Sequence, residues 1–172
     1  MKKTLSKKSY LVGVTDAEGC FSISTKKQND TKFGWVLDPL FQVTQHKNSR
    51  IILEMFKDEL KCGRIIQKSG QKNILVYIVD NRRQLREKVI SFFEENKLIA
   101  KKKDFEIFKG VVESLERKEH QDKEKFKKLI EKVFKMNLEG KQRRYELSKI
   151  LKQIDKVGSS ETIRQTPQLV KI

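Results

Sequence analysis

Between Tyr10 and Phe21 the chain changes its hydrophobic period in a single step. The run "YLVGVTDA" reads as a helix that Ser9 can cap. Directly after Gly19, "CFSISTKKQ" sets Phe21 and Ile23 against Ser22, Ser24 and Lys26, the two-residue alternation of a half-buried strand. Two carboxylates, Asp16 and Glu18, stand at the junction with the small Ala17 between them. The change of period at Gly19 puts a helix directly before a strand, so the chain mixes helix and sheet.

The remaining periodicity extends this pattern. "WVLDPLFQVTQ", Trp35 to Gln45, places Leu37, Phe41 and Val43 on one parity and reads as a second strand that Pro39 makes irregular or an edge. Ser49 to Leu60 is an amphipathic helix, "GRIIQKS" and "NILVYIVD" form a hairpin around Gly70, and "NRRQLREKVISFFEENKL" is again helical. The order is αββαββα, an α+β fold with four strands and helices on one face. From Lys101 to Lys156 the sequence is helical with many i,i+4 charge pairs, and "SSETIRQTPQLVKI" is less regular. One domain is expected over residues 1–172, built from a core at 1–100, C-terminal helices at 101–156 and a tail at 157–172.

The 172 residues suffice for a sizeable core, and 39 Lys and Arg against 23 Asp and Glu leave a formal net charge of +16. Charge of that size acts at long range on anionic partners, nucleic acid before membrane surfaces, although a merely lysine-rich protein has the same composition. No apolar run approaches the length of a membrane span. "MKKTLSKKSYLVGV" faintly mimics a signal peptide, but its apolar run breaks at Asp16 after about six residues. Cys20 and Cys62 lack ligand spacing and a disulfide is not expected; His46 and His120 have no metal-ligand partners at helical or loop spacing and read as surface residues.

Alternation assigns a second, more polar face to the sheet. It carries Ser22, Ser24, Lys26 and Gln28 from the first strand, Val36, Asp38, Leu40 and Gln42 from the second, and Arg64, Ile66 and Lys68 from the third. The fourth strand is apolar on both parities, so its contribution stays open. Such a face is either solvated or suited to donor and acceptor contacts with base edges in a major groove. A nine-residue strand spans about 30 Å, close to about nine base pairs of duplex.

On the first helix Gly13 and Ala17 lie four apart, and Tyr10 and Val14 extend their stripe, so a second helix can approach closely. Asp16 and Glu18 fall at the helix C-terminus, where the dipole disfavours carboxylates. A divalent cation would offset that cost, and hard oxygen ligands suit magnesium. The competing reading is an exposed Asp-x-Glu turn closed by Gly19 as a left-handed C′ residue.

"LVGVTDAEG", Leu11 to Gly19, resembles the signature of the LAGLIDADG homing endonucleases. "FQVTQHKNSRIILEMFKDEL" is similar to the family's second-strand and helix region, "LIAKKKDFEIF" to its basic stretch, and "SSETIR" to the tails of single-motif members, so the resemblance covers roughly the whole chain. It implies a four-stranded antiparallel saddle sheet and metal-dependent hydrolysis of double-stranded DNA that leaves 3′ overhangs. With one motif per chain it also implies a homodimer whose motif helices meet on the two-fold axis, through Tyr10, Gly13, Val14 and Ala17. The site would be near-palindromic and about 18 base pairs long.

By the same resemblance Glu18 is the catalytic, magnesium-binding acid, the Ala17 carbonyl a second ligand, and Asp16 a structural acid. Gln45 places solvent near the metal. Lys101 stabilises charge near the scissile phosphate, a slot that Lys102 or Lys103 could also fill. Arg50 falls near a commonly basic position, one residue out of register. Glu18 replaces the commoner aspartate and reaches one methylene further. Mg2+ is the expected cofactor, with Mn2+ substituting and Ca2+ binding without cleavage. The location is expected to be intracellular, in a chloroplast, a mitochondrion or a bacterial or archaeal cytoplasm. The alternatives are an intron RNA maturase and a non-cleaving DNA-binding protein on the same fold.

Overall fold

The computed structural model describes residues 6–136 and 144–164. The first helix, α1 (Lys7–Glu18), starts at Ser6, whose hydroxyl accepts the Ser9 N–H at 3.1 Å. Ser6 is therefore the cap, and Ser9, read as the cap from the sequence, lies inside the first turn. Leu11 and Thr15 face the core, and the Thr15 hydroxyl donates back to the Leu11 carbonyl at 2.8 Å.

α1 runs without a break into β1 (Gly19–Lys27). Gly19 is extended, with φ −77° and ψ 155°, and is not a left-handed C′ residue. Its small size matters instead, because a Cβ there would lie 2.7 Å from both the carbonyl oxygen and Cγ2 of Thr15.

β2 (Trp35–His46), α2 (Arg50–Leu60), β3 (Arg64–Gln67) and β4 (Ile74–Val79) follow, with a 3₁₀ turn at Lys47–Ser49 before α2. The four strands form one sheet in the order β1-β2-β4-β3, and every neighbouring pair is antiparallel. Pro39 sits in a long, regular strand. It pairs with Ile23 on β1 but lies beyond the reach of β4, whose pairing starts at Phe41↔Val79, so it occupies a stretch that is locally an edge. The β3–β4 hairpin turns at Gly70, which has φ +74°.

A helical run follows as α3 (Arg82–Gln84), a π-helical segment Leu85–Ile90 and α4 (Ser91–Glu95). α5 (Lys102–Glu116), α6 (Lys123–Phe134) and α7 (Leu147–Arg164) complete the described chain. α7 continues seven residues past position 157, where the sequence suggests an irregular tail; residues 165–172 of that tail lie outside the described residues.

The core sits on the face of Phe21, Ile23, Leu37, Phe41, Val43, Tyr77 and Val79. Phe21 is its hub. Its ring centroid lies 5.0 Å from Phe41, 5.4 Å from Phe93 and 5.3 Å from both Phe105 and Phe108, so one side chain ties β1 to β2, α4 and α5. On the other half of the sheet Phe56 of α2 stacks on Tyr77 at 5.8 Å. The helices thus cover this face and leave the opposite one open, as the α+β reading requires.

Candidate functional site

The two acids of the junction have different surroundings. Asp16 is half-buried, and its carboxylate accepts the Ile99 N–H at 2.9 Å and the Lys101 N–H at 3.0 Å. Those donors precede α5, so Asp16 latches the entry of one helix to the exit of another. Glu18, two residues on, is exposed and makes no hydrogen bond or ion pair with any described residue. It lies at a helix C-terminus, where the last carbonyls lack intrahelical donors and a lone anion is unfavourable.

Lys101 is half-buried at the N-cap position of α5, while Lys102 and Lys103 are exposed in its first turn. Its positive charge is felt by Cys20, where it opposes the burial that pushes the thiol upward. Gln45 is half-buried near the end of β2. Gly19 pairs with Val43, so Gln45 lies two residues further, level with the last turn of α1. Glu18, Ala17, Gln45 and Lys101 are therefore gathered at one end of the sheet. Asp16→Ala is expected to cost about 0.5–2 kcal/mol by removing the acceptor of two partly solvent-accessible amides beside a helix start. Hydrogen exchange should accelerate at Ile99 and Lys101; unchanged protection there would refute the latch.

The open face carries the residues assigned to it by alternation. In register, Ser22 faces Leu40, Ser24 faces Asp38, Lys26 faces Val36, Gln42 faces Ile78, Arg64 faces Ile78 from the other side, and Ile66 faces Val76. Gln28 and Lys68 fall one residue past the ends of β1 and β3. Arg50 is not on the sheet: it opens α2 and is paired with Glu54 at 2.8 Å.

Other residues of this face escape sequence reasoning. Cys20 and Thr44 extend the parities of β1 and β2, and Ile74, Val76 and Ile78 resolve β4, whose two-sided apolarity gave no signal. Asp80 continues the β4 parity and forms a double contact with Arg64. Lys26 is bonded to Asp38 across the β1–β2 pair.

Along α1, Gly13 and Ala17 are exposed and Tyr10 and Val14 half-buried. A Cβ on Gly13 would meet nothing within 4 Å among the described residues, so the helix is open at that position, while Tyr10 and Val14 pack partly against the core. His46 is exposed and accepts the Asn48 N–H through Nδ1 at 3.3 Å. His120 is half-buried, and burial, with Arg82 and Lys118 nearby, lowers its pKa. Among the described residues no group of three or more His, Cys, Asp or Glu side chains could enclose a metal ion. A cation at Glu18 would thus take one side-chain ligand from this chain and complete its shell with backbone carbonyl, water and phosphate oxygens, which is how magnesium is commonly held. Among the same residues no helix is long and apolar enough to cross a membrane.

The sequence profile described as LAGLIDADG endonuclease matches residues 11–112. DNA endonuclease I-CeuI of Chlamydomonas moewusii is 40% identical over 134 residues, which cover 76% of this chain and 60% of that protein. Homing endonuclease I-ApeII of Aeropyrum pernix is 36% identical over 108 residues, 63% of this chain and 64% of that protein. The match thus spans less than two thirds of either curated relative. The archaeal intron-encoded homing endonuclease I-Vdi141I, solved in complex with DNA, superposes with a TM-score of 0.83 at 38% identity, covering 89% of this chain and 97% of the other. The complex of the I-SmaMI endonuclease with uncleaved DNA target in the presence of calcium ions gives 0.72 at 28% identity over 78% and 46% of the two chains.

Proposed function

The chain belongs to the LAGLIDADG endonuclease family, and on that premise we propose that it is an intron-encoded homing endonuclease. It cuts a long, pseudo-palindromic double-stranded DNA site as a homodimer by metal-dependent phosphodiester hydrolysis. The observation that carries this reading is the division between the two acids: Asp16 is engaged by two backbone amides, whereas the exposed Glu18 carboxylate has no hydrogen-bond or ion-pair partner among the described residues. A fold that needed only to end a helix would not retain an unpaired carboxylate at its negative pole.

Glu18 and the Ala17 carbonyl would hold the cation, for which Mg2+ is the natural occupant, Mn2+ a substitute and Ca2+ an ion that binds without supporting cleavage. When bound, it would supply charge neutralisation at the phosphoryl oxygens and acidify a water. Gln45 orients solvent through its amide. Lys101, whose backbone N–H Asp16 holds, supplies an ammonium charge to the non-bridging oxygens, where charge develops. The open face of the sheet lies in the major groove and reads bases.

The dimer forms through the stripe of Tyr10, Gly13, Val14 and Ala17, so that each chain contributes one Glu18 near the axis. Selection of cut ends from a randomised duplex pool with Mg2+ tests the activity. A site with two-fold symmetry and 3′ overhangs is expected; absence of cutting at every metal would overturn the reading. Gly13→Arg tests the dimer. Since a Cβ at this exposed position meets nothing within 4 Å among the described residues, the variant is expected to fold and melt like the parent, yet sediment as a monomer and lose at least about 10²-fold in cleavage. A folded, dimeric, active Gly13→Arg protein would exclude this helix from the axis.

A further inference from the structure

The open face holds its cations in an unusual way. Arg64 of β3 stands opposite Ile78 of β4, and Asp80, two residues on, shares that face. Nη1 donates to Oδ1 at 2.8 Å and Nη2 donates to Oδ2 at 2.7 Å, an end-on fork. Both side chains are about half exposed, 54% and 42%. Exposed ion pairs stabilise a fold only slightly, and a bidentate fork, though at the upper end of that small range, contributes too little to account for an anion on this face. Asp80 moreover places an anion on the surface that would meet DNA, which opposes binding to any phosphate. A stability role and a general affinity role are both poor explanations for it.

The geometry offers a third. The fork fixes the guanidinium plane and occupies its end, leaving the Nε–H edge and the outer Nη hydrogens uncommitted. A guanidinium edge of this type matches the O6 and N7 acceptors of guanine in the major groove. An arginine already held in its reading orientation gives up less conformational freedom on binding, and its charge is partly cancelled, so phosphate attracts it less. Lys26 is paired with Asp38 on the same face, but its ammonium is a point charge without a planar edge and cannot be aimed in this manner.

Resting on the DNA-cleaving function proposed above, we propose that Asp80 is a positioning residue that orients Arg64 to read one guanine in each half-site. The Arg64 hold also keeps the Asp80 carboxyl below its ordinary range, so the pair stays ionised at neutral pH.

The test is selection of bound sites from a randomised duplex pool in Ca2+, with the parent protein, Asp80→Asn and Arg64→Ala. The parent should favour guanine at one symmetric position per half-site by roughly 10-fold or more. Asp80→Asn should lose no more stability than one exposed ion pair supplies, bind random duplex more tightly, and favour guanine there by less than about threefold. Arg64→Ala should lose the preference at that position alone. An Asp80→Asn profile identical to the parent's would overturn the proposal while leaving DNA recognition intact. So would an Arg64→Ala protein weakened equally on all sequences with a reduced salt slope, since that marks a phosphate contact. Failure of the parent to enrich any sequence would overturn the DNA-reading function itself, and this proposal with it.

Discussion

Glu18→Gln is expected to bind its duplex about as well as the parent and to cut it at least about 10²-fold more slowly. The substitution is nearly isosteric and removes one negative charge from an exposed side chain that makes no hydrogen bond or ion pair with a described residue, so the fold has little to lose. It also relieves an unfavourable charge at the C-terminus of α1, and a melting temperature equal to or slightly above the parent's follows. Activity responds oppositely. A neutral amide is a poor ligand for a hard divalent cation, and the only other acid of the motif, Asp16, is engaged by the amides of Ile99 and Lys101 and cannot substitute. Binding and single-turnover cleavage, measured on the same DNA with Ca2+ and Mg2+ respectively, separate the two effects. A Glu18→Gln protein that still cuts at the parental rate would remove this residue from the chemistry. One that neither binds nor melts normally would show a structural role instead.

How much of this was legible in the sequence depended on whether a residue's surroundings were local. The β1 and β2 faces follow from alternation, because Ser22, Ser24 and Lys26 cannot share a core with Phe21 and Ile23. β4 could not be read in this way: "ILVYIV" is apolar on both sides, and its register is decided by pairing with β2 on one edge and β3 on the other. Ser6 and Ser9 stand three apart and either satisfies a cap signature, so only the helix start distinguishes them. α7 outruns the apparent tail because the buried Ile150 and Ile154, at helical spacing, seat it against the core. The Asp16 latch is the least readable element, since its donors lie 83 and 85 residues away. The resemblance of "LVGVTDAEG" implied a structural part for that acid, but no local pattern names Ile99 or Lys101 as what it holds.

Phe21→Ala should produce the largest loss of stability, about 3–5 kcal/mol. The ring is 1% exposed and surrounded by Phe41, Phe93, Phe105 and Phe108 from one strand and two helices. These neighbours belong to separate elements with their own backbone hydrogen bonds, so they cannot close the void by moving one side chain. For a protein whose total stability is about 5–15 kcal/mol, the loss is a large fraction, and a fall in melting temperature of roughly 6–20 °C follows. Ile66→Ala supplies the contrast. Ile66 is 40% exposed on the open face, and its truncation should stay within about 0.5 kcal/mol. The position of the hub gives a second consequence. Phe105 and Phe108 seat α5, and α5 begins beside Lys101, so a cavity at Phe21 loosens the segment whose amides Asp16 holds. Hydrogen exchange in Phe21→Ala should therefore rise at Ile99 and Lys101 before it rises in β4. Denaturant titration yielding less than about 1 kcal/mol, or exchange that rises first in β4, would show that the core is not organised around this ring.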